Sequence, residues 1–130
     1  LPPLLLDTTV LIDALRGRPA ADRLRELHRT SSPPWICAVN VEEVMRGTPP
    51  EEEPKVLRFL RAMRLAPLGA AEGELAGRWR RDFARRGLTL SQSDCLIAAA
   101  AVGLGARLAS GNPRHFPMPE LSVETWPVGS

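Results

Sequence analysis

Three carboxylates and one amide stand at or near the ends of apolar runs. Asp7 closes Leu4-Leu5-Leu6, and Glu43 lies in the helical turn after Trp35-Ile36-Cys37-Ala38-Val39. Asp94 opens a long apolar helix, and Asn112 follows Ala106-Arg107-Leu108-Ala109. Carboxylates brought close together do not all stay ionised without a cation. Hard oxygen donors of this kind select Mg2+ or Mn2+ over zinc. Each acid also has a plainer role open to it. Asp7 can cap the helix that follows it. Asn40-Val41-Glu42-Glu43 and Ser91-Gln92-Ser93-Asp94 both have the form of a capping box, so Glu43 and Asp94 can serve helix starts. Asp94 fits that role least well. It opens a stretch of Leu, Ile and Ala, where an uncompensated carboxylate is costly.

The elements that would bring these residues together follow from the spacing. Leu4 to Leu6 reads as a buried strand, and Thr8 to Arg16 as a helix stopped by Gly17. Pro19 opens a second helix to about Arg29. Trp35 to Val39 reads as a second strand, with Asn40 capping a short helix that ends at Gly47. Pro49-Pro50 and Glu51-Glu52-Glu53 start a helix to about Arg64, with Val56, Leu57, Leu60 and Met63 inward. Leu65 to Leu68 is a candidate third strand. Ala70 to Arg86 and Ser91 to Leu104 are helices closed by Gly87 and Gly105. Ala106 to Ala109 and Ser122 to Trp126 complete the strands. Apolar strands alternating with helices predict an α/β fold, a three-layer arrangement with four to five short parallel strands and helices on both faces. In such a sheet, ligands collect at the carboxyl ends of the strands. No repeat, linker or boundary divides residues 1–130, so a single domain is expected.

Composition narrows the classes. The chain has 130 residues, 44% hydrophobic and 25% charged, as in a globular protein with a real core. The run from Leu96 to Leu104 is too short to span a bilayer, so no membrane association is expected. Leu1 to Leu6 is apolar but has no basic flank and runs into Asp7, so no signal peptide is read there. An initiator Met is missing, so a few residues are expected to be absent or processed. The protein is expected to be cytoplasmic. Cys37 and Cys95 have no metal spacing and read as small core residues. The net charge of +2 demands no nucleic-acid partner. Sixteen Arg against the single Lys55 is a skew that codon usage accounts for, although Arg is also the side chain that forks onto phosphate.

Taken in order, the motifs resemble PIN-domain ribonucleases of the VapC toxin type. Leu4-Leu5-Leu6-Asp7-Thr8-Thr9-Val10-Leu11-Ile12-Asp13 is similar to that family's opening strand and first acid. Ile36 to Gly47 resembles its second motif, which places the ligand at Glu43 rather than Glu42. Gly87 to Phe116 resembles the third and fourth, with Ser93-Asp94-Cys95-Leu96-Ile97 and Leu108-Ala109-Ser110-Gly111-Asn112. The resemblance implies a five-stranded PIN-like sheet, metal-dependent endoribonuclease activity, homodimerisation and inhibition by a small cognate VapB-like antitoxin. It implies Asp7, Glu43 and Asp94 as ligands of Mg2+ or Mn2+, with Thr9 and Ser110 supporting them. One departure stands out. The family often has another acid in the stretch matching Ser110 to Phe116, where this chain has Asn112 and His115. An Asn carbonyl can hold a metal-bound water, so Asn112 joins the catalytic set and one ion is expected. A bound cation would activate water, and Asp94 or Glu43 would orient or deprotonate it. His28 reads as a solvated helix residue, and His115 as a plain loop residue, with a place near the site as the alternative.

The arginines fall mainly in two helices, Arg16 to Arg29 and Arg78 to Arg86. Helical spacing pairs Arg78 with Asp82, Asp82 with Arg86, and Glu26 with Arg29. Arg80, Arg81 and Arg85 are left as candidates for RNA phosphates. Val56, Phe59, Leu60 and Met63 form a broader apolar face than one stripe needs, a candidate antitoxin groove. Two other Mg2+ folds begin with an acid after a first strand. A haloacid-dehalogenase-like site needs a second Asp at position 9, which is Thr. A receiver domain needs a late-strand Lys, and Lys55 lies in a helix. The rival from another class is a catalytically weak PIN-like module that binds RNA or protein, which the Asn112 departure keeps open.

Overall fold

A computed structural model describes residues 2–30 and 33–129; Leu1, Ser31, Ser32 and Ser130 lie outside it. Strand β1, Leu4–Leu6, lies at the centre of a five-stranded parallel sheet ordered β3-β2-β1-β4-β5. Its neighbours are β2, Trp35–Ile36, and β4, Arg107–Ser110, with β3, Arg64–Leu65, and β5, Val123–Thr125, at the edges. Alternation along β1 divides the core in two. Leu5 packs with Trp79, Phe83, Ile97 and Leu108 under helices α5, Ala70–Arg85, and α6, Gln92–Leu104. Leu4 and Leu6 pack with Val10, Leu24, Val56 and Leu60 under α1, Thr8–Leu15, α2, Pro19–Thr30, and α4, Glu53–Arg61. Both faces are therefore covered, as a parallel sheet requires. No described helix is long and apolar enough to cross a membrane.

Local chemistry shortens several expected elements. The strand predicted over Trp35 to Val39 ends at Ile36, because α3, Ala38–Arg46, starts earlier than expected. Asn40 is not its cap. Cys37 holds the cap position, and Asn40, three residues on, accepts the Cys37 amide at 2.8 Å. Glu43 therefore lies in the second turn and is not the closing member of a capping box. The third strand is Arg64–Leu65 rather than Leu65 to Leu68. The Arg64 and Ala66 amides bond to the carbonyls of Pro34 and Ile36, and the pairing ends there. Pro50–Glu52 is a 3-10 turn, and α4 begins only at Glu53. Leu57 is half-buried and does not join the core that holds Val56, Leu60 and Met63. Ser91 caps α6, and Gly105 ends it in the left-handed region at φ 68°, turning the chain straight into β4. Because α6 returns to a parallel strand, its N-terminus lies at the carboxyl edge of the sheet.

Candidate active site

The order β2-β1-β4 puts the switch of strand order between β1 and β4, where α/β sheets open a crevice at their carboxyl edge. Register pairs Leu6 with Ala109, and the Asp7 amide bonds to the Ala109 carbonyl at 2.8 Å. That pairing places Asp7 beside Ser110, 103 residues later. Asp7 Oδ1 accepts the Thr8 amide at 2.8 Å. Its Oδ2 accepts the Thr9 hydroxyl at 2.9 Å and the Ser110 hydroxyl at 2.8 Å. Asp7 is thus both the cap of α1 and a fully oriented carboxylate, only 4% exposed. The Thr9 and Ser110 oxygens accept in turn the amides of Gly111 and Asn112.

Burial pushes the Asp7 carboxyl above its usual range. The bonds from Ser110, Thr9 and Thr8 oppose that push, and the negative charge of Asp94 adds to it. Asp94 stands in the first turn of α6. Its amide, not its carboxylate, completes the cap with Ser91 Oγ at 3.1 Å. The carboxylate faces His115, with Oδ2 3.4 Å from Nδ1. Glu43 is tied in from the other side. Its Oε1 accepts the Thr8 hydroxyl at 2.7 Å, and Thr8 Oγ1 accepts the Asn40 side-chain amide at 3.0 Å. Arg46 lies 3.9 Å from its other oxygen. Glu42, by contrast, is exposed and pairs with Arg46 at 3.8 Å.

The predicted acids therefore share one edge: Thr8 joins Asp7 to Glu43, Thr9 and Ser110 tie Asp7 to the segment after β4, and His115 of that segment faces Asp94. Thr8 and Asn40 complete the site, and spacing along the chain does not mark them as part of it. The signal for Asn40 was an amide placed between apolar neighbours, where it is 0% exposed. Asn112 contributes its backbone amide to Ser110, while its side chain engages His115 at 3.0 Å. Arg80 reaches the end of α6 that carries Asp94: its Nε donates to the Leu90 carbonyl at 3.2 Å, and its charge bears on the Cys95 thiol. Arg81 pairs with Asp82 at 2.9 Å, and Arg85 adds its charge to Asp82. Of the two pairings predicted for Asp82, Arg86 does bear on the carboxylate by its charge, while the one with Arg78 is replaced. Arg78 turns to Glu74, and Arg86 stacks on Phe83. Glu26 does pair with Arg29, at 3.0 Å.

Among the described residues, no three His, Cys, Asp or Glu side chains converge tightly enough to close round an ion by themselves. The donor set still fits a hard cation. Mg2+ keeps several waters and is commonly bound through one or two carboxylates plus substrate phosphate. Here a buried carboxylate feels a second negative charge that such a cation would relieve.

Comparison with known proteins agrees with this architecture. A family model described as "PIN domain" matches residues 4–119. Ribonuclease VapC10 of Mycobacterium tuberculosis is 36% identical over 119 residues, 88% of this chain and 86% of that protein. Ribonuclease VapC19 of the same organism is 32% identical over 119 residues, 90% of this chain and 95% of that protein. In the DNA-bound VapBC crystal structure from Salmonella typhimurium, one chain superposes with a TM-score of 0.83 at 22% identity, covering 98% of this chain and 100% of that one. That likeness establishes the fold.

Proposed function

Because the chain belongs to the PIN-domain family, we propose that it is an endoribonuclease acting through Mg2+ or Mn2+ held by Asp7, Glu43 and Asp94. The observation that carries the reading is Asp7, buried, aimed by three donors, and pushed upward by burial and by Asp94. When bound, the cation would lower the pKa of a water and neutralise charge developing on the phosphate. Asp7 has both oxygens already oriented, so it gives up little rotamer freedom as a ligand. Glu43 and Asp94 are less enclosed, with side chains 21% and 23% exposed, and either is placed to take a proton from the attacking water. Direct attack by water is favoured over a covalent route. Cys37 and Cys95 are buried, and burial pushes both thiols up, which makes them poor nucleophiles. Arg80, at the same end of the sheet, would meet RNA phosphate, with Arg81 and Arg85 on the outer face of α5 extending that surface.

The reading extends to a toxin paired with a small VapB-like antitoxin, supported by the VapC relatives and the VapBC structural neighbour. A groove of about 420 Å3 between α1, α2 and α4, lined by Leu15, Leu24, Lys55 and Phe59, suits an apolar segment of such a partner. Self-association into a homodimer belongs to the same proposal and is read by sedimentation. The deciding experiment is cleavage of RNA with Mg2+ or Mn2+, with EDTA, Asp7→Asn and Asp94→Asn as controls. Cleavage by wild type alone, abolished by EDTA, is expected. Equal cleavage by all three proteins would sink the metal-acid mechanism. RNA bound but uncut by wild type would favour a binding module.

A further inference from the structure

The six residues from Ser110 to His115 connect two of the acids. Ser110 Oγ donates to Asp7 Oδ2 at 2.8 Å and accepts the Asn112 amide at 2.9 Å. The Asn112 side-chain nitrogen lies 3.0 Å from His115 Nε2, and the opposite ring nitrogen, Nδ1, lies 3.4 Å from Asp94 Oδ2. The segment is held in shape. Pro113–His115 form one 3-10 turn, the His115 amide bonds to the Asn112 carbonyl at 3.2 Å, and Phe116 is buried at 4% exposure just beyond.

The direction of these bonds selects a tautomer. A side-chain –NH2 only donates, so Nε2 accepts from Asn112. The neutral ring then carries its one N–H on Nδ1, the nitrogen that faces Asp94. Among the described residues, no side chain hydrogen-bonds the Asp94 carboxylate and His115 is the one charged or polar side chain in contact with it, whereas Asp7 has three donors and Glu43 has Thr8.

We propose that His115 is a positioning residue for Asp94, directing the carboxylate through Nδ1–H with its own tautomer set by Asn112. The proposal rests on the metal reading given above. A neutral donor suits the task. It orients one oxygen and leaves the other oxygen and the full negative charge for a cation, where an Arg or Lys would compete with that cation. A carboxylate has about four lone-pair sites, so one accepted bond does not exhaust it. The separation of 3.4 Å is long for a formed bond, and bonds of this kind commonly tighten when a site is filled.

Two measurements test it. The His115 tautomer is read in the metal-free protein by long-range 1H–15N correlation, with His28→Gln removing the signals of the second histidine. The Nδ1–H tautomer is expected, and the Nε2–H tautomer overturns the proposal. Mn2+ binding is then followed by calorimetry for wild type, Asp94→Asn, His115→Ala and His115→Asn, each checked for folding by circular dichroism. His115→Ala should weaken Mn2+ by about ten-fold. His115→Asn, whose amide nitrogen can occupy the place of Nδ1, should recover most of it. Should His115→Ala fail to fold, His115→Asn and the tautomer carry the test. Equal affinity of wild type and His115→Ala, with Asp94→Asn impaired, overturns the positioning role and leaves the metal site standing. No Mn2+ binding by wild type removes the metal reading and this proposal with it.

Discussion

Ser110→Ala deletes one hydroxyl at a position with 0% exposure and breaks two bonds. It removes the donor at 2.8 Å from Asp7 Oδ2 and leaves the Asn112 amide without its acceptor at 2.9 Å. A hydrogen bond to a charged group contributes about 1.5–3 kcal/mol, and an orphaned buried donor costs about 1–3 kcal/mol. Asn112 is only half-buried, so water recovers part of the second loss. The expected destabilisation of the metal-free protein is therefore about 2–4 kcal/mol at about pH 8, well above the usual carboxylate range. The penalty has a defined pH dependence. Burial already raises Asp7 in the folded chain, and the Ser110 bond opposes that rise, so its removal raises Asp7 further. A carboxyl raised on folding contributes stability that is present below its unfolded range and lost as pH climbs through the folded value. The variant must lose more than wild type on that climb. At about pH 3.5, with a neutral carboxyl, the penalty should shrink by about 1 kcal/mol. Urea unfolding in EDTA, followed through the buried Trp79 and Trp126, measures it. A penalty below about 0.5 kcal/mol at the higher pH, or the same penalty at both, would refute the reasoning.

Asp7→Asn should abolish cleavage yet raise the Tm of the metal-free protein near neutral pH. The ionised carboxylate is the form that burial disfavours, and it predominates above the folded pKa. Mg2+ should stabilise wild type alone, by about 2.7 kcal/mol at a hundred times its Kd, and raise its Tm with it; a lower metal-free Tm for the variant contradicts this. Neither thiol should react with a disulfide reagent at about pH 8 while the chain is folded, since burial pushes Cys95 up to about 11 and raises Cys37 as well. Urea should expose both, and fast labelling of the native protein would contradict their burial. Arg80→Ala should reduce the salt slope of RNA binding by about 0.7. Arg81→Ala should change it less, because Asp82 already pairs with that side chain. The reverse order would move the RNA surface away from α6.

Local patterns in the chain determined a good deal. The strand at Leu4–Leu6, the cap at Ser91, the stop at Gly105 and the apolar α6 follow from spacing, because caps and helix faces are set by residues three or four apart. The identities of the three acids were legible for the same reason, since Asp7 follows a strand end and Glu43 and Asp94 lie in the opening turns of helices. Their working environment was not legible. Whether Glu43 closed a capping box or faced the site depended on where α3 begins, and a bond between Asn40 and the Cys37 amide moved that start. Thr8 looked like an ordinary first helical residue until Glu43, 35 positions away, received its hydroxyl. Ser110 reaches Asp7 only because Leu6 pairs with Ala109, and a one-residue slip in that register would turn Ser110 to the other face of the sheet. His115 read as a loop residue because nothing in its neighbours marks a partner on a helix 21 positions earlier. Sequence spacing determined which groups were available, and the register of β1 against β4 decided which of them meet.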